Sequence, residues 1–138
     1  MIKINPYVSF DGNCREAMIF YQQCLGGDLQ LMTMAEGPMA EQTPKDQLDQ
    51  IMHAELRNGD LVLMATDMQG PDGHQPGNDM SIHLTFDDET EIHRCFDRLA
   101  NGGKVHEPVR KQFWGDTFGV LRDKFGKKWQ VLLPDPSN

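Results

Sequence analysis

The sequence predicts an α+β fold of two tandem βαβββ modules, and three observations carry that prediction. Each half of the chain opens on alternating apolar and polar residues, the period of a half-buried strand. Each half then turns to apolar residues at helical spacing, ended by a Gly-Gly pair. The halves also superpose at a constant offset of 76 (86 − 10), with Phe10 on Phe86, Asp11 on Asp87, Phe20 on Phe96, and Gly26-Gly27 on Gly102-Gly103. Identities at matching turns, caps and core positions mark an internal repeat.

The first strand comes from residues 2–10, where Ile2, Ile4, Pro6, Val8 and Phe10 share one parity and Lys3, Asn5, Tyr7 and Ser9 the other. Asn13 with Glu16 forms a capping-box signal, and apolar residues at 14, 17, 18, 21 and 25 predict a helix over 14–25. Gly26 and Gly27 supply its left-handed stop. Leu29 to Met34 is a second strand, and residues 35–50 (AEGPMAEQTPKDQLDQ) are a long polar covering loop with one helical turn. Ile51–Arg57 and Leu61–Thr66 are strands joined at Asn58-Gly59, the dipeptide that primed hairpin turns demand.

The stretch GPDGHQPGND, 70–79, links module one (about 1–69) to module two (about 80–138) within a single domain. In the second half Ile82, Leu84 and Phe86 alternate with Ser81, His83 and Thr85. Asp88 and Glu91 cap a helix whose apolar face is 92, 95, 96 and 99. The last stretch, Phe113 to Asp135, approaches through Phe118, Val120 and Leu121, turns at Asp123 to Gly126, and returns as Lys128 to Leu133 before Pro134 and Pro136. This hairpin matches the first at an offset of 67 (126 − 59), which places Leu61–Met64 on Lys128–Val131. Each half is therefore strand, helix, three strands.

A chain of 138 residues suits one domain, since a domain of about 150 residues buries roughly 68–70% of its unfolded surface. With 13 basic against 21 acidic residues the net charge is −8, which leaves no basic face for a phosphate backbone and excludes nucleic acid as an expected partner. No apolar run reaches membrane-spanning length and MIKINPYVSF lacks a secretory pattern, so a cytoplasmic protein without a membrane partner is expected. Cys14, Cys24 and Cys95 are odd in number and lack C-x-x-C spacing; they read as packing residues rather than as disulfides or zinc ligands. The nine methionines, Met32, Met34, Met52 and Met64 among them, read as adaptable core filler.

With a helix on one face of each sheet, the other faces are expected to form a concave half-barrel cleft. Over nearly its full length this arrangement resembles the vicinal-oxygen-chelate (glyoxalase/bleomycin-resistance) superfamily. PYVSF-x-GNC-x-EA-x-x-FY near the start and FWGD-x-FG-x-x-x-DKFG-x-x-W near the end are similar to its PhnB-like branch, often labelled 3-demethylubiquinone methyltransferase. The glycine-rich strand-to-helix turn that a nucleotide-like methyl donor needs is absent, so methyl transfer is not expected.

The resemblance implies metal ligands, His or Glu, on the first and last strands of each module, acting as a Lewis-acid site. It puts those positions at Asn5, Leu63, Ser81 and Gln130, none of which is His, Cys, Asp or Glu. No metal cofactor is therefore expected. The alternative is a divalent metal displaced to His53, Glu55 and His83, in a lyase, isomerase or dioxygenase.

Strand parity lines the cleft with Asn5, Tyr7 and Ser9, with Leu61, Leu63 and Ala65, with Ser81, His83 and Thr85, and with Lys128 and Gln130. Such a lining suits a small organic molecule with a few polar groups. Among these side chains His83 alone has an ordinary pKa near neutrality, which makes it the candidate general acid or base. Tyr7 is the candidate donor to an anionic intermediate, and Trp114 and Asp116, just outside regular structure, are candidate ligand or dimer contacts. The expectation is a homodimeric small-molecule-binding protein, with the metal-dependent enzyme and a structural dimer with a vestigial cleft as alternatives.

Overall fold

Burial of one face per sheet and one stripe per helix organises the chain. The computed structural model describes residues 1–137, in two units that part between Gln75 and Pro76, inside the Gly/Pro-rich stretch 70–79. The first unit contains β1 (Tyr7–Ser9), α1 (Cys14–Leu25), β2 (Asp28–Thr33), β3 (Ile51–Asn58) and β4 (Leu61–Thr66). The second contains β5 (Ile82–Thr85), α2 (Glu89–Ala100), β6 (Lys104–Lys111), β7 (Thr117–Arg122) and β8 (Lys128–Leu133). The sheet orders are β1-β4-β3-β2 and β5-β8-β7-β6. In each, the first strand runs parallel to the last and the remaining pairs are antiparallel. The two modules thus share one topology, as the repeat requires. Among the described residues no helix is long and apolar enough to cross a membrane.

Helix α1 buries Cys14, Ala17, Met18, Phe20, Tyr21 and Cys24, the stripe expected of a 3.6-residue period. Against it the first sheet buries Ala54, Leu56, Leu63 and Ala65. Helix α2 buries Ile92, Cys95, Phe96 and Leu99, and the second sheet Leu121, Trp129 and Val131. Gly119 lies beneath α2: a Cβ there would come within 2.9 Å of the Phe96 ring and 2.7 Å of Val109 Cγ2. The three cysteines are buried packing residues. The methionines correct their expected role: Met18 belongs to the core, whereas Met32, Met39, Met68 and Met80 are exposed.

Four local expectations are revised. The alternation over 2–10 yields a strand only at Tyr7–Ser9, and Ile2 and Ile4 are 94% and 95% exposed. β1 is an edge strand whose ladder to β4 begins at Tyr7, so nothing in this unit covers the residues before it. Asn13 occupies the N-cap of α1 without capping it through its side chain. Asp67, just past β4, does so instead: Oδ1 accepts from the backbone N–H groups of Gly12 (2.9 Å) and Cys14 (3.0 Å), and Oδ2 from Ile51 N–H (2.9 Å). At α2 the predicted cap forms, with Asp88 accepting from Glu91 N–H at 2.9 Å. The covering loop holds two 3-10 turns, Ala40–Gln42 and Lys45–Gln47, rather than one helical turn.

The fourth revision concerns register. Tyr7 lies beside Met64 and His83 beside Gln130, so the closing strands correspond at 66 (130 − 64), not 67. The cause is that the two hairpin turns differ. The first occupies residues 59–60 and the second 123–127, so Gly59 and Gly126 are not equivalent. The longer turn is organised by buried Asp123, whose Oδ1 accepts from Phe125 and Lys127 N–H (2.9 and 3.0 Å) and whose Oδ2 accepts from Trp129 Nε1 (2.8 Å).

Candidate functional site

Residues directly opposite in a ladder share a sheet face, so register assigns each side chain to the helix or to the open side. In the first unit Val8, Ala65, Ala54 and Leu31 lie abreast on the side packed against α1. One residue along, Tyr7, Met64, Glu55 and Gln30 form a row on the open side across all four strands. In the second unit the corresponding row is His83, Gln130, Val120 and Glu107. The repeat therefore sets Tyr7 and His83, the two candidate proton-carrying groups, at equivalent positions (83 − 7 = 76).

This register corrects the expected lining from the fourth strand. Leu63 is a core residue, 3% exposed, opposite Leu56 on the helix side, and Leu61 and Ala65 share its parity. The open face is instead supplied by Val62 and Met64; Thr66 shares their parity but is buried, its Oγ1 donating to Met52 O at 2.7 Å. Leu61 to Ala65 is an uninterrupted apolar run, so its parity carried no signal in the sequence.

On the open face of the first sheet the Tyr7 hydroxyl lies 3.3 Å from His53 Nδ1, with ring centroids 5.8 Å apart. Arg57 Nε donates to Glu55 Oε2 at 2.6 Å. That bond, reinforced by the charge of Arg57 and by the His53 ring, holds the Glu55 carboxyl below its ordinary range. On the second sheet His83 Nδ1 stands 3.5 Å from Gln130 Oε1, at the outer limit of a hydrogen bond. His83 and Tyr7 are both exposed, so each can reach a ligand.

The remaining expected site residues divide. Ser9 closes β1 on the open parity, next to Thr66. Asn5 and Ser81 are exposed and lie just before the edge strands β1 and β5. Trp114 lies outside the second unit's row, in the β6–β7 connection, beside Phe113 in an edge-to-face contact of 4.8 Å. Asp116 anchors the turn, its Oδ1 accepting from Asp135 N–H at 2.8 Å. Sequence reasoning missed Met64, Val120, Glu107 and Phe113; the first follows from the apolar run, and Glu107 belongs to a strand, KVHEPVRK, with two register irregularities and no alternation to read.

The positions that the resemblance assigns to metal do not fit one. Leu63 faces the helix, and its open-side neighbour Met64 offers only a thioether. With Asn5, Ser81 and Gln130 the set contains neither an anionic nor an imidazole donor, which transition metals require for tight binding. His53 and Glu55 do share the open face, but Glu55 is paired with Arg57 and His53 contacts Tyr7. Among the described residues no three His, Cys, Asp or Glu side chains are placed to hold a metal ion together.

Comparison with known proteins agrees with this architecture. The family model of the Glyoxalase/Bleomycin resistance protein/Dioxygenase superfamily matches residues 3–131. Protein YjdN of Escherichia coli K12 is 31% identical over 137 residues, covering 93% of this chain and 92% of its own. The crystal structure of protein PA1353 from Pseudomonas aeruginosa is 39% identical, with a TM-score of 0.85 over 98% of this chain and 99% of that one. A PhnB protein from Bacillus cereus, 24% identical, shares the fold with a TM-score of 0.71 over 96% of this chain and 100% of its own.

Proposed function

Because the chain belongs to the Glyoxalase/Bleomycin resistance protein/Dioxygenase superfamily, we propose that its open sheet faces bind a small organic molecule, and that they do so without the superfamily's metal centre. The observation that carries this reading is the pair of equivalent rows: Tyr7 with Met64, and His83 with Gln130, at the same place in each module. Each row sets one proton-carrying group beside a soft or amide side chain, a surface that suits a ligand with apolar bulk and few polar atoms. His83 is the general acid or base and Tyr7 a hydrogen-bond donor to an anionic ligand group. The two PhnB-like motifs support that branch of the superfamily, and the protein acts as a cytoplasmic homodimer.

The test is a thermal-shift screen with small aromatic acids, phosphonates and bleomycin-type antibiotics, run beside elemental analysis of untagged, chelator-free protein. A ligand at about 100 times its dissociation constant stabilises by about 2.7 kcal/mol. Such a shift, lost in His83→Ala, is the expected result. One equivalent of zinc, nickel, manganese or iron per chain would overturn the metal-free reading and favour the alternative, a metal-dependent enzyme drawing on His53, Glu55 and His83. No shift with any compound, in a protein that sediments as a dimer, would favour a structural role.

A further inference from the structure

The β6–β7 connection differs from its counterpart in the first module, the longer β2–β3 loop, and its construction is unusual for a surface turn. It displays two large aromatic side chains, Phe113 at 97% exposure and Trp114 at 48%. Yet the backbone beneath them is tightly held. Gln112 N–H donates to Asp116 O (2.8 Å), Gly115 N–H to Gln112 O (3.0 Å), and Gln112 Nε2 to Arg110 O (3.0 Å). Asp135 closes on the same turn through its N–H to Asp116 Oδ1, and its carboxylate passes where a Cβ of Gly115 would lie. Gly115 also has φ of 103°, a conformation that glycine adopts at little cost. A turn fixed in this way presents its aromatics with little ordering entropy left to lose, which is the condition for an interface anchor.

Charge identifies what the anchor meets. Strand β6 and the tip, residues 104–116, carry Lys104, Arg110 and Lys111 against Glu107 and Asp116, a formal +1 (3 − 2), with Arg110 3.6 Å from Glu107. It is the outer strand of its sheet, and Pro108, the lysines and two register irregularities protect it from strand addition. In the first module the connection at the same topological place, β2 to β3, is the 34–50 loop, which carries Glu36, Glu41, Asp46 and Asp49 against Lys45, a formal −3 (1 − 4). The imbalance extends to the units: residues 1–75 hold 4 basic and 11 acidic residues (−7), and residues 76–138 hold 9 and 10 (−1). One chain therefore carries a strongly acidic loop and, on β6, a locally basic strand.

We propose that the Phe113–Trp114 tip is an interface anchor that seats on the acidic 34–50 loop of a second copy of this chain, with the contact made twice about a two-fold axis. This rests on the homodimer of the preceding section and adds the surface that makes it. The aromatics supply the apolar centre, at about 150–250 Å² for each ring. Lys111 and Arg110 at the rim face Glu41 and Asp46 of the other copy, so association is salt-sensitive.

Sedimentation velocity over a concentration series, at low and high sodium chloride, tests the proposal. The expected outcome is a wild-type dimer whose dissociation constant rises with salt, and rises about a hundredfold in Phe113→Ser/Trp114→Ser. Lys111→Glu weakens the dimer, and combining it with Asp46→Lys restores it. Circular dichroism confirms folding, since all substituted side chains are exposed. A cross-link locates the contact: Phe113→Cys chains mixed with Glu41→Cys chains form a mixed disulfide, with the native cysteines buried and silent. A dimer indifferent to the tip variants, or one giving only 113–113 disulfides, overturns this interface and leaves the dimer standing. A wild type that is monomeric throughout the series overturns the homodimer as well.

Discussion

Asp67 shows how much one buried side chain organises in this molecule. Its two carboxylate oxygens accept three backbone N–H groups, from Gly12, Cys14 and Ile51, and so tie the start of α1 to the start of β3 through a residue just past β4. Truncation strands buried donors, each costing roughly 1–3 kcal/mol, so Asp67→Ala is expected to lower unfolding free energy by about 3 kcal/mol in a urea titration. Glu55 behaves differently, because it is half-buried and paired with a side chain rather than with backbone groups. Arg57 lowers its pKa from the ordinary 4.5, so any stability from the pair is present above that value and fades as pH falls through the lowered one. In Arg57→Ala a carboxyl-carbon NMR titration should show Glu55 returning upward toward 4.5; an unmoved midpoint would discount the ion pair.

The two helices are equivalent elements with different starts. Asp88 caps α2 from its own sequence position, whereas the cap of α1 comes from Asp67, 53 residues beyond Cys14. Asp88→Ala should therefore cost about 1 kcal/mol of unfolding free energy, the usual worth of a side-chain cap. Asn13→Ala should cost much less, although both residues look alike in sequence. Equal losses would mean that the Asn13 side chain caps α1 in solution. Beneath α2, the absent side chain of Gly119 lets the helix approach the sheet, so Gly119→Ala should destabilise by about 1–3 kcal/mol through overpacking against Phe96 and Val109.

For the whole molecule, duplication is the organising fact, and the two copies have diverged chiefly on their open faces. The core rows keep the same parity and burial: Leu63 and Ala65 in one sheet, Trp129 and Val131 in the other. The open rows differ at every position, Tyr7, Met64, Glu55 and Gln30 against His83, Gln130, Val120 and Glu107. Since Tyr7 and His83 are exposed, Tyr7→Phe and His83→Ala should leave unliganded thermal stability within about 0.5 kcal/mol of wild type. Each should nevertheless reduce the shift produced by a binding compound. A loss of stability with an unchanged ligand response would remove both residues from the site.

The module order, both helices and the strands Leu61–Thr66 and Lys128–Leu133 were legible in the chain itself. Each is written in local periodicity, caps and glycine stops, which depend on neighbours in sequence. The face presented by β4 was not legible, because Leu61 to Ala65 are all apolar and a one-residue slip exchanges the two sides without breaking any local rule. That choice belongs to the ladder, which sets Met64 beside Tyr7 and buries Leu63 beneath α1. The donor at the start of α1 was likewise beyond sequence reasoning, since Asp67 reaches it only once β4 has paired. Periodicity and turn chemistry are properties of the chain, whereas register and long-range hydrogen bonds exist only after the chain has folded on itself.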